Sequence, residues 1–168
     1  MKAKYLVVAL LVVVLALAGV GCKKVTGGGS FDDFSAGKVT FGFNAQPTEP
    51  YDPAADPLQE IGAKGQFELV AHGTQGTNTV IHGTFTGTWM SDDPEFSRFF
   101  GTCIVNGTDV QPFNVQFYDS GAKGPNKGDG IVVHIGATDP FGSIVLMYSG
   151  NLTGGNIQIH APNNGHPY

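Results

Sequence analysis

Few residues in this chain have types and spacings that could do chemistry, and the richest set of oxygen ligands lies in one glycine-rich stretch. Asp119, Asn126 and Asp129 supply the carboxylate and amide oxygens that calcium prefers. Their spacing departs from the twelve-residue calcium loop, and Lys123 and Lys127 compete for the same carboxylates. Aspartate and asparagine beside glycine are also ordinary turn formers, so we interpret the stretch as a turn, with calcium binding as the alternative.

A second group of acidic residues, Asp92, Asp93 and Glu95, surrounds Pro94. Two carboxylates on either side of a glycosidic bond are the machinery of many glycan hydrolases. No flanking residue orients these acids, and acidic residues in a proline-containing loop are usually solvated. The chain also lacks a nucleophile elbow, a phosphate-binding loop and a zinc-protease motif. We therefore predict a protein that is not an enzyme and has no catalytic residues.

The only tryptophan, Trp89, precedes these acids, and Phe96, Phe99 and Phe100 follow them. Such a cluster could line the mouth of a ligand site or form a platform for a sugar. Aromatic residues among strands more often belong to the core. Trp89 is therefore the ligand-contact candidate, without an identified ligand.

Four histidines lie in or beside strand-like runs, and neutral imidazole is a common metal ligand. They form no close pair such as His-x-His, so we expect local hydrogen bonds, and we predict neither a bound metal nor a cofactor. Cys103 also lies in a strand-like run, and we expect a buried small hydrophobe there in preference to a reactive thiol. The histidines are His72, His82, His134 and His160.

The N-terminal segment has the organisation of an export signal. Lys2 and Lys4 precede an apolar run over residues 6–18, and small residues then lead to Cys22. A membrane-spanning helix needs about 20 residues, and this run is shorter. The segment resembles a bacterial lipoprotein signal, although Gly19 stands where a leucine is usual, and the resemblance implies that Cys22 is lipidated. An uncleaved membrane helix and an ordinary cleaved signal remain the alternatives.

Lipidation at Cys22 predicts a protein in the cell envelope, attached to the outer face of a bacterial membrane and either periplasmic or surface-exposed. Two or more acyl chains, such as palmitate, make this anchoring durable, whereas a single chain binds marginally. We assign residues 1–21 to a signal peptide that forms a helix and residues 22–36 to the lipidated cysteine and a flexible glycine-rich tether. Residues 37–160 are assigned to a β domain and residues 161–168 to a polar tail.

The charge of the exported chain bears on its partners. Removal of Lys2 and Lys4 with the signal leaves seven of the nine basic residues against fourteen acidic ones, a net charge of −7. Such a surface repels phosphate backbones, so we predict no nucleic-acid partner. The remaining length suits a single domain with its own core.

Alternation of apolar and polar residues predicts short strands throughout the β domain. Val39, Phe41, Phe43 and Ala45 share one face of the most regular one. The dipeptide at residues 106–107, Asn-Gly, predicts a hairpin turn, and the proline-rich acidic stretch over residues 46–64 predicts a loop. We predict an all-β fold, an antiparallel meander of about eight strands that closes as a barrel in preference to a sandwich. The predicted strands are residues 38–45, 66–72, 79–89, 99–105, 113–117, 131–135, 143–148 and 156–160.

Several short strings also occur in a characteristic order. Together they resemble a small all-β module of secreted and cell-surface bacterial proteins, which would cover residues 37–160. That module has no established enzymatic activity, so the resemblance implies an extracytoplasmic β domain and no catalytic residues. The strings are residues 41–45, 64–69, 72–73, 81–83, 128–131 and 154–160.

These patterns favour a lipid-anchored lipoprotein with a non-enzymatic binding or structural β domain. Its membrane partner is reached through Cys22, and a protein or glycan partner is left open. One alternative is a barrel that carries a small ligand, which requires an open interior. The other is the glycan-directed hydrolase.

Overall fold

The computed structural model describes residues 24–49, 60–73, 76–89, 93–121, 128–138 and 143–160. Cys22 and the predicted signal helix lie outside these ranges. Within them, no helix has the length and apolarity needed to cross a membrane. The strands are β1 (Lys24–Asp33), β2 (Gly37–Pro47), β3 (Glu60–His72), β4 (Asn78–Trp89), β5 (Phe96–Val105), β6 (Asp109–Tyr118), β7 (Gly130–Ile135) and β8 (Leu146–His160).

Each strand pairs antiparallel with the next along the chain, and β8 pairs back onto β1, so the sheet is a closed barrel. This confirms the predicted all-β meander and decides for a barrel over a sandwich. Asn106 and Gly107 have φ of 51° and 79°, and the N–H of Thr108 donates to the carbonyl of Val105 over 3.2 Å. Positive φ at both central residues is the geometry of the tight hairpin turn that Asn-Gly predicts.

The alternating apolar residues point into the barrel as predicted. Val39, Phe41, Phe43 and Ala45 of β2 are all buried, and their outward neighbours are exposed or half-buried. The same pattern in the neighbouring strands gives a core dominated by phenylalanine. Its largest fully buried side chains are Phe31, Phe67, Phe85, Phe99, Phe113 and Phe117.

Aromatic rings from opposite walls meet in the middle of the barrel. β2 and β6 lie four strands apart in the closed order of eight, so they face each other across the lumen. The rings of Phe43 and Phe117 stack with their centroids 3.8 Å apart and an interplanar angle of 12°. Phe85 stacks on Phe113 at 5.4 Å. At these levels the lumen is filled by side chains, as it is in many eight-stranded barrels.

One prediction is wrong: the glycine-rich segment predicted as a flexible tether is strand β1. It pairs with β2 from Val25 to Asp33 and with β8 from Lys24 to Phe31. The glycines are needed because the neighbouring strands come very close. A Cβ on Gly27 would lie 2.9 Å from the ring of Phe43 and 2.6 Å from the carbonyl oxygen of Asn156. The β domain therefore includes residues 24–36, which precede its predicted start at residue 37.

Other boundaries also differ from the prediction, and β3, β5 and β6 are longer than the strands expected there. Residues 146–148 of one predicted strand and all of the strand predicted at residues 156–160 belong to one long strand, β8. Its Gly154–Gly155 pair lies beside a register shift in β1 and does not form a break. The proline-rich loop is also shorter than residues 46–64, because Pro47 pairs with Ala63. Pro47 is the last residue of β2, where its missing N–H does little harm to the ladder.

The two ends of the barrel carry different residues, and we call them the N-terminal rim and the opposite rim. The N-terminal rim is the end at which β1 begins, and the opposite rim is the end at which β1 finishes. The N-terminal rim is formed by the strand ends Lys24, Pro47, Glu60, Trp89, Phe96, Tyr118, Gly130 and His160. The opposite rim is formed by Asp33, Gly37, His72, Asn78, Val105, Asp109, Ile135 and Leu146.

Candidate functional site

An aromatic cluster with one arginine lies on the outer wall of the barrel, close to the N-terminal rim. A bulge in β4 between Phe85 and Gly87 shifts the alternation. Because of this shift, Thr88 takes the buried inward position and Trp89 points outward. We call the set the outer-wall cluster; its members are Trp89, Phe96, Arg98, Phe100 and Tyr118.

The side chains of this cluster form a continuous stack across three strands. The ring centroids of Trp89 and Phe100 are 4.2 Å apart, and those of Phe96 and Tyr118 are 5.1 Å apart. The guanidinium carbon of Arg98 lies 5.7 Å from the Trp89 ring centroid and 5.5 Å from that of Phe96. Arg98 therefore joins the two aromatic pairs through cation–π contacts.

Partial burial alters the electrostatics of the cluster. Burial lowers the pKa of Arg98, and the nearby Tyr118 hydroxyl works in the opposite direction. The guanidinium still carries its charge at neutral pH. Tyr118 donates its hydroxyl hydrogen to Oε1 of Gln116 over 3.1 Å. The cluster thus presents flat rings, one fixed positive charge and a phenol at the edge of the barrel.

Next to the cluster, outward polar residues are unusually well buried. Asn114, Gln116 and His134 are 0%, 9% and 7% exposed. The chain that leaves β7 turns back over them, since the carbonyl oxygen of Ala137 accepts a hydrogen bond from Nδ2 of Asn114 at 3.2 Å. Burial, and then the positive charge of Arg98, lower the pKa of His134, so its imidazole is neutral at neutral pH.

The calcium candidates Asp119 and Asp129 already use their carboxylate oxygens within the protein. Asp129, which is 5% exposed, accepts hydrogen bonds from the N–H and hydroxyl of Ser120 and, at 2.8 Å, from the N–H of Ile157. Asp119 accepts from the N–H of Gly121 and, at 2.8 Å, from that of Ile159. These bonds support the turn interpretation. Asn126 lies outside the described residues.

The two aspartates complete the closure of the sheet. β7 pairs with β8 only as far as Asn151, so the N–H groups of Ile157 and Ile159 have no neighbouring β7 residue to receive them. The carboxylates of Asp129 and Asp119 take the place of the missing strand. A buried backbone N–H left without an acceptor is costly, which explains why these residues are acidic.

An Asp129→Asn substitution tests this role. The asparagine keeps the shape of the side chain but presents an NH₂ group toward one of the donors, so we expect the free energy of unfolding to fall by about 1–3 kcal/mol. Urea unfolding measures the loss. Asp109→Asn is the matched control, because Asp109 is exposed and bonds only Gln111 in the described structure. Equal stability of the two variants would contradict the assigned role of Asp129.

Asp33, at the end of β1, also accepts a hydrogen bond from a backbone N–H group of β8. Its Oδ2 accepts the N–H of Ser149 at 3.0 Å, and its Oδ1 accepts from Ser35 and Ala36. Partial burial works to raise the pKa of Asp33, but hydrogen bonds from Ser35, Ser149 and Ala36 together hold it below the ordinary value of 3.8.

A pKa that is lower in the folded state makes Asp33 a source of acid lability. Its contribution to stability is complete above pH 3.8 and is lost as the pH falls through the lower folded value. We expect Asp33→Asn to destabilise the protein at neutral pH and to differ less from wild type in strong acid. Unfolding free energies across this pH range, with exposed Asp32→Asn as control, measure the effect. A difference that does not shrink in acid would contradict it.

The remaining predicted residues are scattered over the described structure. Asp93 caps a turn by accepting the N–H of Glu95 at 2.9 Å, and Asp92 lies outside the described residues. Nδ1 of His82 lies 3.6 Å from Oε1 of Glu68. Within the described ranges, no three His, Cys, Asp or Glu residues converge on a possible metal site.

Cys103 is a buried free cysteine, as predicted. Burial, reinforced by the charge of Asp109, raises the pKa of its thiol to about 11.

Sequence reasoning singled out Trp89 but missed Arg98 and Gln116. Both occupy outward positions of strands that alternate polar and apolar residues, where a solvated side chain is the ordinary expectation. The register that brings Trp89 opposite Arg98 is set by the β4 bulge, which has no signature in the sequence. Arg98 lies opposite Gln116 in the uninterrupted pairing of β5 with β6. Comparisons of the chain with protein-family models, with curated proteins and with solved structures found no match.

Proposed function

We propose that this protein is a lipid-anchored lipoprotein of a bacterial cell envelope, and that its β-barrel is a non-enzymatic binding or structural domain that acts through its outer surface. One observation carries the proposal for the domain. The lumen is filled by the stacked rings of Phe43 and Phe117, whereas the outer wall presents the aromatic residues and charge of the outer-wall cluster. The surface available for a partner is therefore the outside of the barrel.

The filled lumen argues against the small-ligand carrier. A carrier of this size holds its ligand between the walls, where Phe43, Phe117, Phe85 and Phe113 here occupy the space. The acidic residues give no support to a glycan hydrolase either. Asp93 is part of a local turn, and hydrolysis needs two carboxylates held apart across a substrate.

Support for the anchor comes from the sequence. A basic start, a short apolar run and small residues before Cys22 form a signal of the lipoprotein kind. Acylation of Cys22 would hold the barrel at the outer face of the membrane, and the net charge of the exported chain disfavours nucleic acid as a partner.

The intact mass of the protein in the membrane fraction tests the anchor. We expect wild type to carry a diacylglyceryl mass increment and to partition with membranes. The Cys22→Ser variant should lack the increment and leave the membrane fraction. A wild-type product that is unmodified and freely diffusing would contradict the proposal.

A titration with a fluorescent fatty acid tests the domain separately. We expect no saturable binding by the Cys22→Ser protein, because the rings leave no room in the lumen. Saturable binding that a Phe43→Trp substitution blocks would instead identify the barrel as a carrier. Trp in place of Phe34 in the exposed turn, by contrast, should have no effect on this titration.

A further inference from the structure

Because β1 replaces the predicted tether, very little chain separates Cys22 from the folded barrel. Lys24 already belongs to β1, so at most one residue lies between the cysteine and the strand. Two residue steps of fully extended chain span at most about 7 Å. A flexible tether of the predicted length would instead reach roughly 20 Å on average.

The start of β1 is firmly held and does not extend this short connection by fraying. Val25 is 0% exposed, and it pairs with Ala45 on one side and Ile159 on the other. Lys24 pairs with His160, whose Nε2 lies 3.0 Å from the hydroxyl of Thr26. Releasing these residues would take a buried valine out of the core, which costs about 1.5–3 kcal/mol for the side chain alone.

The outer-wall cluster lies at the same end of the barrel. Trp89, Phe96 and Tyr118 are strand ends of the N-terminal rim. β5, at the centre of the cluster, is four strands from β1 and therefore on the opposite wall. Tryptophan and tyrosine are the residues that favour the interface between a membrane and water.

We infer that the N-terminal rim rests on the bilayer, held by the lipid beside β1 on one wall and by the outer-wall cluster on the other. This inference rests on the proposed lipidation of Cys22, and it names the bilayer interface as the partner of the outer-wall cluster. The barrel then stands on the membrane with its opposite rim facing away.

The contact is apolar and aromatic in character, and not electrostatic. Glu60, Glu95 and Asp119 lie at or beside this rim together with Lys24 and Arg98, so the described part of the rim has no excess of positive charge with which to bind a strongly anionic surface. The partner is accordingly a bilayer of zwitterionic lipid. Among the described residues, Tyr118 is the only well-exposed large apolar side chain at this rim, and the others are exposed near the opposite rim. An inverted orientation is therefore the rival that the experiment must exclude. The exposed side chains near the opposite rim are Phe34, Ile104, Val110 and residues 144–147.

The single tryptophan makes the test direct, because Trp89 is itself part of the cluster. Acylated protein, verified by intact mass, is reconstituted into phosphatidylcholine vesicles with and without brominated acyl chains. We expect brominated lipid to quench Trp89 fluorescence strongly and salt to leave the quenching unchanged. In the double variant Trp89→Phe, Phe34→Trp, the only tryptophan lies at the opposite rim, roughly 20–25 Å away along a tilted strand, and should not be quenched.

A long insertion supplies the matched control for the short connection. A flexible Gly-Ser segment of about 20 residues between Lys23 and Lys24 should reduce Trp89 quenching, because it frees the rim from the lipid. Quenching of the Phe34→Trp reporter would overturn the inference in favour of the inverted orientation. Absence of Trp89 quenching in protein that carries the acyl mass would overturn the inference alone. Absence of the acyl mass itself would instead overturn the proposed function.

Discussion

A Gly29→Ala substitution is expected to destabilise the barrel by about 3 kcal/mol or more, or to prevent folding. Gly29 points inward in β1, opposite Phe41 in β2 and Gly155 in β8. The added Cβ would overlap the carbonyl oxygen of Gly154, which belongs to the paired backbone of β8 and cannot rotate away. Relief therefore requires the two strands that close the barrel to separate.

Gly42→Ala is the matched control, since it makes the same chemical change one strand away. The space around a Cβ at Gly42 is open, and we expect unchanged stability or a gain of less than about 1 kcal/mol. Urea unfolding of both variants, in protein carrying Cys22→Ser, measures the difference. If residues 26–30 were a flexible tether, both substitutions would be neutral, and that result would refute the strand.

A Phe117→Ala substitution is expected to cost about 3–5 kcal/mol, a large part of the stability of an ordinary domain. Phe117 is 0% exposed and stacks on Phe43 across the lumen, with Phe85 and Phe99 next to it. Its removal would leave a cavity in the lumen. The strands around the lumen are fixed in place by their hydrogen bonds, so they cannot move inward to fill the cavity.

The denaturation midpoint of Phe117→Ala, compared with that of Phe34→Ala, measures this effect. Phe34 lies in the turn between β1 and β2 and is fully exposed, so its replacement should change stability by less than about 0.5 kcal/mol. A loss of less than about 1 kcal/mol for Phe117→Ala would indicate a lumen that is not packed at this level. It would also reopen the carrier alternative.

The fold class was predictable because, in most strands, the alternation of apolar and polar residues shows which side chains point inward. Val39, Phe41 and Phe43 alternate with polar residues, and Asn-Gly at 106–107 marks a turn of fixed geometry. These are local signals that need no knowledge of the neighbouring strand. The predicted count of eight also agrees with the structure, but only because two errors compensate: β1 was missed and β8 was divided.

The missed strand has no signal of its own because its side chains are absent. Whether a run of glycines is a linker or a strand is decided by its neighbours, here the Phe43 ring and the backbone of residues 154–156. That information lies in residues distant in sequence. Division of β8 has the same origin, since Gly154–Gly155 has the composition of a turn and is a close approach between paired strands instead.

The candidate site was predictable only in part. Trp89 stood out as the sole tryptophan, but its arginine partner did not, because the bulge that aligns Trp89 with Arg98 leaves no sequence mark. Asp119 and Asp129 were recognised as chemically significant, yet for a different role. Their carboxylate oxygens accept hydrogen bonds from N–H groups of β8. These N–H groups lack a backbone acceptor because they lie beyond the point where the pairing of β8 with β7 ends.

Residues 24–33 close the barrel as strand β1, and amide hydrogen exchange measures this directly. The N–H groups of Val25, Gly27 and Gly29 should exchange as slowly as those at the centre of β4, because strands on both sides protect β1. Exchange of these amides at the rate of an unstructured peptide, while β4 stays protected, would contradict the account.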